Sequence, residues 1–321
     1  MEYVNFGTAG LKISRVALGL GFRGVSDADS GQRIIERAID QGINFIDCAN
    51  SYCLTDTHGN AGQSETILGK ALRGKRDDVV ITSKVCSVIG PGPNDHGLSR
   101  YHIMREVEKS LRRLNTDHID VYLVHNFDES TPLTETIRAL DDLVHSGKVR
   151  YIGCCNYAAW QVCKALWVAD ALNATPYICV QNPYSLLNRA LEREMFGLVQ
   201  DTGLGVMAYS PLAIGLLGGT YSPGEPPPRG SLWAERTESE FEAAVEGTTG
   251  EVINVLKTRA VEMNKTPAQL ALAWILSHPE ITTTIVGCDN ADEIPDIVGA
   301  VGWVLPDDVR EELDQISAAC A

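Results

Sequence analysis

The chain has 321 residues, of which 44% are hydrophobic and 21% are charged, a composition typical of a globular protein with a substantial core. Its 27 basic and 42 acidic residues give a formal net charge of −15, which opposes binding to a polyanion such as DNA. The N-terminal segment lacks the features of a secretion signal, and no apolar stretch approaches the ~20 residues that span a bilayer. We therefore expect a cytoplasmic protein that binds neither nucleic acid nor membranes.

Short apolar runs that are rich in β-formers alternate with helical stretches along most of the chain. The predicted strands, in chain order, are RVALGL, INFID, VVITSK, IDVYLVH, VRYIG, YICVQN, GVMAYS and TTTIVG. Nearly all of them are followed by a predicted helix, which indicates an α/β fold in which a parallel sheet closes into a (β/α)8 TIM barrel. An open doubly wound sheet is the alternative, but the first strand is not followed by a G-x-G-x-x-G turn.

Three segments lie outside this eightfold pattern. Residues 1–14 contain two short runs around G-T-A-G and predict a β-hairpin that plugs one end of the barrel. Residues 210–248, after the seventh strand, include the stretch YSPGEPPPRGS and form a candidate lid loop. The segment LPDDVREELDQIS predicts an extra C-terminal helix. Because no linker interrupts the pattern, we expect residues 1–321 to form a single domain.

Nine cysteines are spread along the chain without a C-x-x-C pair, and several lie inside apolar runs. This pattern predicts buried, reduced thiols rather than zinc ligands or disulfides.

Polar side chains close several of the predicted strands at their C-terminal ends. INFID ends at Asp47, VVITSK at Lys84 and IDVYLVH at His125, and Tyr52 follows Asp47 by five residues. In a parallel barrel these ends meet at one mouth, where enzymes of this architecture place their active sites. A metal hydrolase on the same barrel needs several His and carboxylate ligands at the strand ends, and only Asp47 and His125 qualify. We therefore expect no metal site.

Several segments resemble, in order, the signature segments of the aldo-keto reductases: D47-C-A-N-S-Y52, T82-S-K84, Y122-L-V-H125, G153-C-C-N156, V180-Q-N-P-Y184 and A208-Y-S-P-L212. The branch that is most similar contains potassium-channel β-subunit-like proteins and bacterial sugar reductases. The resemblance runs from Tyr3 to about Ile316. It implies an NAD(P)-dependent oxidoreductase that interconverts a carbonyl and an alcohol by hydride transfer.

The resemblance also implies a role for each member of the group at the strand ends. Tyr52 is the general acid/base, and the Lys84 ammonium beside it is expected to lower the phenol pKa. Asp47 holds that ammonium in place, and His125 orients the substrate carbonyl.

Other positions carry over from the family as cofactor and substrate contacts. The residues expected to contact the nicotinamide dinucleotide are Gly19, Gly21, Phe22, Asp47, Asn156, Gln181, Tyr209, Ser210, Pro211, Leu212, Gly287, Asp289 and Glu293. Those expected to contact the small-molecule substrate are Arg23, Tyr52, His125, Asn126 and Trp233. The loop after Tyr52 is longer and more polar than in most relatives, and His58 and His96 are candidates for the same rim. Such a rim favours a sugar- or polyol-like substrate and a role in carbohydrate metabolism.

The sequence departs from the family where relatives bind the adenosine end of the cofactor. Thr220 and Leu232 replace basic residues, and the last turn carries Asp289 and Glu293. A carboxylate repels a 2′-phosphate but accepts a hydrogen bond from a ribose 2′-hydroxyl. We therefore expect NAD as the cofactor, with NADP as the alternative. A redox-neutral enzyme with tightly held NAD and a nicotinamide-sensing subunit remain open, as does a homo-oligomer.

Overall fold

The computed structural model describes residues 1–54 and 61–321. Two strands, β1 (Tyr3–Asn5) and β2 (Lys12–Ser14), form an antiparallel hairpin. Eight parallel strands then close into a barrel in chain order, with the last strand pairing with the first of the eight. They are β3 (Val16–Gly19), β4 (Phe45–Asp47), β5 (Val80–Val85), β6 (Ile119–Val124), β7 (Val149–Cys155), β8 (Cys179–Pro183), β9 (Gly205–Tyr209) and β10 (Thr283–Val286). The predicted TIM barrel and its N-terminal hairpin are confirmed.

Helices connect the strands and cover the outside of the barrel. They are α1 (Ala28–Asp40), α2 (Gln63–Ala71), α3 (Arg100–Leu114), α4 (Leu133–His145), α5 (Ala159–Leu172), α6 (Met195–Thr202), α7 (Glu238–Val245), α8 (Gly247–Glu262), α9 (Pro267–Leu276), α10 (Ile294–Val298) and α11 (Asp307–Ile316). Polar caps define several starts: the Asp27 carboxylate accepts from Ser30 N–H at α1, and Thr266 forms a capping box with Gln269 at α9. The extra C-terminal helix is α11.

The hairpin closes the barrel because an aromatic side chain between its two strands enters the interior. Phe6 is fully buried and lies edge-on to Phe45 of β4, with 5.3 Å between ring centroids. A Cβ at Gly205 would lie only 2.7 Å from the Phe6 ring, so β9 needs glycine there. Phe6 belongs to the inner core with Val121, Met207 and Ile285. The hairpin therefore seals one end and leaves the other end for polar side chains.

Two segments differ from the sequence-based expectation. The segment NRALEREMFGLVQDTG, residues 188–203, has a sequence typical of one continuous helix, but only Met195–Thr202 is α-helical. Contacts from the C-terminal segment explain this, because Arg189 donates from its backbone N–H to Cys320 O and from its guanidinium to Asp314 O. The long connection after β9 contains short helical turns and α7, and its aromatic residues Tyr221, Trp233 and Phe241 pack together as part of the core.

Candidate active site

The four residues singled out from the strand ends lie at neighbouring positions of the barrel. Asp47 is the last residue of β4, Lys84 lies near the end of β5 and His125 directly follows β6. These strands pair in order, with Asp47 beside Thr82 and Lys84 beside Leu123. Tyr52 lies in the connection from β4 to α2, and hydrogen bonds from Ser64 N–H to its carbonyl and from its own N–H to Ala49 O hold its backbone. Barrel closure therefore brings the four side chains to one mouth.

Lys84 is the centre of this group, and its side chain is fully buried. Its ammonium donates to Asp47 Oδ2 at 2.6 Å, to Cys48 O at 3.1 Å and to Tyr52 Oη at 3.1 Å. All three of its N–H donors are thus used. Because Tyr52 Oη accepts from Lys84, the phenolic proton of Tyr52 is not used in this contact. No protein acceptor in residues 1–54 or 61–321 takes that proton.

The second oxygen of Asp47 fixes the carboxylate plane. Asp47 Oδ1 accepts from Thr82 Oγ1 at 2.5 Å and from Gln181 Nε2 at 2.9 Å. Asp47 and Gln181 are each only 3% exposed. A buried ion pair is favourable only when further hydrogen bonds satisfy its polar atoms, and this carboxylate has two besides its bond to Lys84. Gln181, predicted as a cofactor contact, is thereby also a support of the charged pair.

The charges of this group follow from burial and from the Asp47–Lys84 contact. Burial opposes the charged form of Lys84, but the adjacent Asp47 carboxylate outweighs it and raises the pKa of Lys84 above its usual value. Lys84 therefore stays charged at neutral pH. For Tyr52, burial is the largest influence and raises its pKa to about 12, although the Lys84 ammonium acts in the opposite direction.

The expectation that the phenol pKa falls is therefore wrong for the net shift. Lys84 has the predicted influence on Tyr52, since it favours the phenolate. The extent to which the barrel mouth removes the phenol from water depends on the tertiary structure, and this desolvation outweighs the effect of the ammonium. Tyr52 is thus a protonated phenol at neutral pH.

His125 is a neutral imidazole beside this phenol. Burial, followed by the Lys84 charge, lowers the pKa of His125 to about 3. Its ring meets the Tyr52 ring edge-on, with 5.7 Å between centroids. Its Nδ1 lies 3.1 Å from Ser87 Oγ, and its backbone N–H donates to Val85 O at 2.8 Å. The imidazole is therefore fixed by both its backbone and its ring.

The ends of β7 and β9 continue the same rim. The Asn156 amide donates from Nδ2 to His125 O at 2.9 Å and accepts from Tyr209 Oη through Oδ1 at 2.8 Å. Asn156 has a left-handed backbone, with φ 58°, which asparagine tolerates better than most residues. The predicted cofactor contacts Asn156, Gln181 and Tyr209 thus form a continuous polar edge with the four-residue group.

The turn after β9 has an unusual backbone. Ser210, Ala213 and Ile214 all have positive φ, at 55°, 48° and 57°, and a β-branched residue such as isoleucine is rarely found there. The N–H groups of Leu212 and Ile214 donate to no acceptor in the described part of the chain. The N–H between them, of Ala213, donates to Ser210 O at 3.0 Å, so the turn offers two separate free N–H groups, and free backbone N–H groups in such a turn can bind an anion. The resemblance to the family predicts that Ser210 and Leu212, in this turn, contact the pyrophosphate of the cofactor.

Trp233 supports this turn and is not a free lid residue. It is only 8% exposed, its Nε1 donates to Ile214 O at 3.0 Å, and its ring lies 6.1 Å from that of Phe241. The sequence-based expectation that Trp233 contacts the substrate does not agree with this burial. Its indole instead packs into the core and binds the carbonyl of a left-handed residue.

The turn after β10 keeps its two carboxylates close to the first loop of the barrel. Glu293 accepts from Asp289 N–H at 3.1 Å and from Asn290 Nδ2 at 2.7 Å. Burial raises the pKa of Glu293 above its usual value, and the neighbouring Asp289 charge adds to this. The Asp289 carboxylate is exposed and packs over Gly24, where any Cβ would collide with it. The turn is therefore acidic, and its own carboxylate occupies a backbone donor.

The remaining predicted residues fall into two groups. Gly19 is required by packing, since a Cβ there would lie 2.8 Å from Ile285 Cγ2, and the Phe22 ring is turned into the core against Gly31 of α1. That leaves only the backbone of Phe22 for a ligand. The exposed positions are Gly21, Arg23, His96, Asn126 and Gly287. His58 lies outside the described residues.

Two residues of this site were missed by the sequence reasoning. Thr82 belongs to the T82-S-K84 segment, and because it lies two residues before Lys84 its side chain points to the same face of β5. That spacing was a usable signal. Ser87 follows β5 in an irregular turn, and no pattern in the sequence connects it with His125 of the next strand.

Within residues 1–54 and 61–321, no group of three His, Cys, Asp or Glu side chains is arranged to hold a metal ion. In the same ranges, no helix is long and apolar enough to cross a membrane.

Comparison with known proteins shows the family of the chain. A model described as "Aldo/keto reductase family" matches residues 4–318. A Bacillus subtilis protein named "Uncharacterized oxidoreductase YrpG" is 38% identical, with 98% of this chain and 96% of that protein covered. An Arabidopsis thaliana "Probable voltage-gated potassium channel subunit beta" is 33% identical over 98% and 96%, and an "Aldo-keto reductase" of Fusarium vanettenii is 32% identical over 99% and 91%. The chain therefore belongs to the aldo/keto reductase family.

Proposed function

We propose that this protein is a cytoplasmic NAD(P)-dependent oxidoreductase that interconverts a carbonyl and an alcohol, with residues 1–321 acting as one catalytic domain. The observation that carries the proposal is the position of the Lys84 ammonium between the Asp47 carboxylate, at 2.6 Å, and the Tyr52 phenol, at 3.1 Å. A buried cation that contacts a phenol stabilises the phenolate that remains after proton donation. A barrel that served only as a scaffold would not need this arrangement.

The residues of the mouth suit a nicotinamide dinucleotide. Asn156 and Gln181 supply amides for the carboxamide, Tyr209 supplies a ring that can stack on the nicotinamide, and the free N–H groups after β9 suit the pyrophosphate. When bound, the cofactor donates or accepts the hydride. The protein itself has to bind the substrate oxygen and move one proton.

Tyr52 performs the proton transfer. Its pKa of about 12 keeps the phenol protonated at neutral pH, and its proton has no acceptor in the described part of the chain. The phenol therefore donates that proton to a carbonyl oxygen that becomes negatively charged. Lys84 stabilises the resulting phenolate, and Asp47 keeps the ammonium charged and in place. In the oxidative direction the phenolate accepts the alcohol proton.

His125 orients the substrate oxygen. Because its pKa is about 3, the ring carries one proton and no charge at neutral pH. A neutral ring with one N–H donor can bind the carbonyl oxygen without competing with Lys84 for Asp47. Such donors stabilise developing negative charge when they are held rigidly, as this ring is.

The acidic turn after β10 supports NAD as the preferred cofactor. A 2′-phosphate near Glu293 or Asp289 would be repelled by roughly 4 kcal/mol for a charge pair ~4 Å apart at an effective dielectric of 20, before screening by salt. The Asp289 N–H, which would otherwise be available to a phosphate, is taken by Glu293. A ribose 2′-hydroxyl instead finds acceptors there.

The exposed polar residues around the mouth support a polar, sugar- or polyol-like substrate. Arg23, His96 and Asn126 are exposed and offer donors to hydroxyl groups. Reduction of a panel of sugars, hydroxyaldehydes and aliphatic aldehydes, followed by nicotinamide absorbance with NADH and NADPH in parallel, tests the reaction, the substrate class and the cofactor together. We expect faster turnover of the hydroxylated substrates and tighter binding of NADH.

Tyr52→Phe is the decisive variant because it removes one oxygen from the site. We expect kcat to fall by about 10²- to 10⁴-fold, while NADH binding, followed by quenching of protein fluorescence, stays unchanged. Equal turnover in the variant and the parent protein would exclude Tyr52 as the acid. Val261→Ala, at an exposed position of α8, is the control for handling of the protein.

A regulatory subunit that binds nicotinamide nucleotide is the second candidate, because two plant relatives are named as probable potassium channel β subunits. This role predicts tight nucleotide binding without turnover of any substrate in the panel. A redox-neutral enzyme with tightly held NAD predicts nucleotide that copurifies with the protein and does not exchange with added NADH.

A further inference from the structure

Ser87 contacts the imidazole at the mouth but has no part in the proton transfer described above. Its Oγ lies 3.1 Å from His125 Nδ1. In residues 1–54 and 61–321 this nitrogen is the only protein group that the Ser87 hydroxyl contacts. The hydroxyl comes from the turn after β5, whereas the imidazole follows β6. The contact therefore joins two strand ends on the side of the ring that carries Nδ1.

The backbone before Ser87 has an unusual conformation, and this conformation places the Ser87 side chain against His125. Cys86 has φ 134°, a conformation that residues with a side chain rarely adopt. Its carbonyl accepts from Gly97 N–H at 2.8 Å, and the preceding carbonyl, of Val85, accepts from His125 N–H at 2.8 Å. The two hydrogen bonds hold the unusual conformation. Its consequence is that the chain turns at Cys86 and brings the next side chain against His125.

The proton on His125 has two possible positions, and only one of them is useful. The ring is neutral, so one nitrogen carries a proton and the other has a lone pair. If the proton were on Nδ1, Nε2 would present its lone pair to the substrate oxygen and repel it. If Ser87 Oγ donates to Nδ1, the proton is on Nε2, which makes no hydrogen bond to a described protein group and is free to donate.

We propose that Ser87 is a positioning residue that selects the His125 tautomer with its proton on Nε2. The hydrogen bond on one ring nitrogen sets the role of the other, as in metal-bound and catalytic histidines. The consequence for catalysis rests on the proposed carbonyl chemistry. The effect on the tautomer does not, because it exists in the protein alone.

The test is the ¹⁵N spectrum of the histidine rings, recorded on the full chain without added nucleotide. The chain has seven histidines, and the His125→Gln variant assigns the signals of His125. In the parent protein we expect a protonated Nε2 and an unprotonated Nδ1. In Ser87→Ala both signals should move towards the average of the two tautomers, and Ser87→Thr, which keeps the hydroxyl, should restore the parent pattern. Ser239→Ala, at an exposed position of α7, should change nothing.

Unchanged His125 signals in Ser87→Ala, or a proton on Nδ1 in the parent protein, would overturn the proposal. Kinetics add an independent readout: kcat/KM of carbonyl reduction should fall by about two- to tenfold in Ser87→Ala, as for one lost hydrogen bond, and recover in Ser87→Thr, with NADH affinity unchanged. A tautomer shift in a protein that reduces no carbonyl would contradict the proposed function and leave the role of Ser87 intact. Carbonyl reduction without a tautomer shift in Ser87→Ala would support the proposed function and contradict the role of Ser87.

Discussion

The mouth of the barrel and the turn after β10 both carry carboxylates, but the partners that stabilise these carboxylates differ between the two regions. Asp47 is buried, and its partners Lys84, Thr82 and Gln181 come from two other strands. Among the described residues, Glu293 accepts only from Asp289 and Asn290, which lie four and three residues before it. The first arrangement exists only when the barrel closes, whereas the second is built by one short segment.

This difference indicates which substitutions each region can tolerate during evolution. A substitution at Asp47 or Lys84 leaves a buried charge without its partner and so disturbs folding as well as chemistry. A substitution in the 289–293 turn alters local hydrogen bonds at the surface, where most changes have small effects on stability. Cofactor preference is therefore free to vary at the turn, while the proton-transfer group is constrained by the fold.

Lys84→Met is the largest expected change and tests whether the mouth depends on its ion pair. We expect the free energy of unfolding to fall by about 3–5 kcal/mol, because the Asp47 carboxylate stays buried without a cation. Urea unfolding measures this. The same substitution at Lys148, whose half-exposed ammonium pairs with Glu108, should cost less than about 1 kcal/mol.

The double variant Asp47→Asn/Lys84→Met separates charge from packing. Removing the carboxylate as well should restore part of the stability that Lys84→Met loses, because no uncompensated charge remains. If the double variant is less stable than Lys84→Met by the full cost of Asp47→Asn, the two residues are not coupled.

The pH dependence of stability tests the neutral state of His125. Its pKa is about 3 in the folded protein and 6.5 as the ordinary value, so below pH 6.5 the unfolded chain binds a proton that the folded chain does not. The contribution of His125 to the free energy of unfolding is therefore fully present above pH 6.5. It is lost as the pH falls towards 3, with a slope of up to about 1.4 kcal/mol per pH unit. His125→Gln should unfold with a smaller slope over the same range.

His102 and His278 also have lowered pKa values because of burial, and they remain in both proteins. The difference between the parent protein and His125→Gln therefore isolates His125. We compare how far the urea midpoint of each protein falls when the pH is lowered from neutral. An equal fall in the parent protein and in His125→Gln would show that His125 is charged in the folded protein.

Much of this architecture was predictable because it depends on local patterns. The eight apolar runs and the glycines and caps between them specify the barrel. The polar residues that end β4, β5 and β6 specify the mouth, because parallel strands bring their ends together. The hairpin plug followed from two short runs around a turn, and Phe6 gives it a physical reason.

What the sequence did not predict depends on distances between segments. The net pKa of Tyr52 is set by how fully the barrel desolvates the phenol, and the burial of Trp233 depends on packing against Phe241 and Ile214. The contact between Ser87 and His125 requires an unusual φ at Cys86. These features depend on tertiary contacts, which the residue pattern of a single segment does not specify.

Glu293→Gln tests whether the acidic turn sets cofactor preference. The amide keeps an acceptor oxygen for Asp289 N–H or Asn290 Nδ2 but removes the charge. We expect NADPH to bind about tenfold more tightly, with NADH changed by less than about twofold, because only NADPH carries the 2′-phosphate that the carboxylate repels. The gain should shrink as ionic strength rises.

Asp292→Asn is the matched control in the same turn, since its exposed carboxylate is removed without altering the contacts of Glu293. An equal gain in NADPH affinity for both variants would indicate a general effect of net charge. No gain in either would contradict the proposed role of the turn.

Trp233→Phe has the smallest expected effect and tests how the turn after β9 is held. Phenylalanine keeps an aromatic ring against Phe241 but cannot donate to Ile214 O, so stability should fall by about 1 kcal/mol. Because that bond holds a left-handed isoleucine whose N–H is expected to face the pyrophosphate, NADH should also dissociate faster, which stopped-flow fluorescence measures. Trp160→Phe, at a position that is 57% exposed, should change neither quantity. A loss of stability with an unchanged rate of NADH release would separate this turn from cofactor binding.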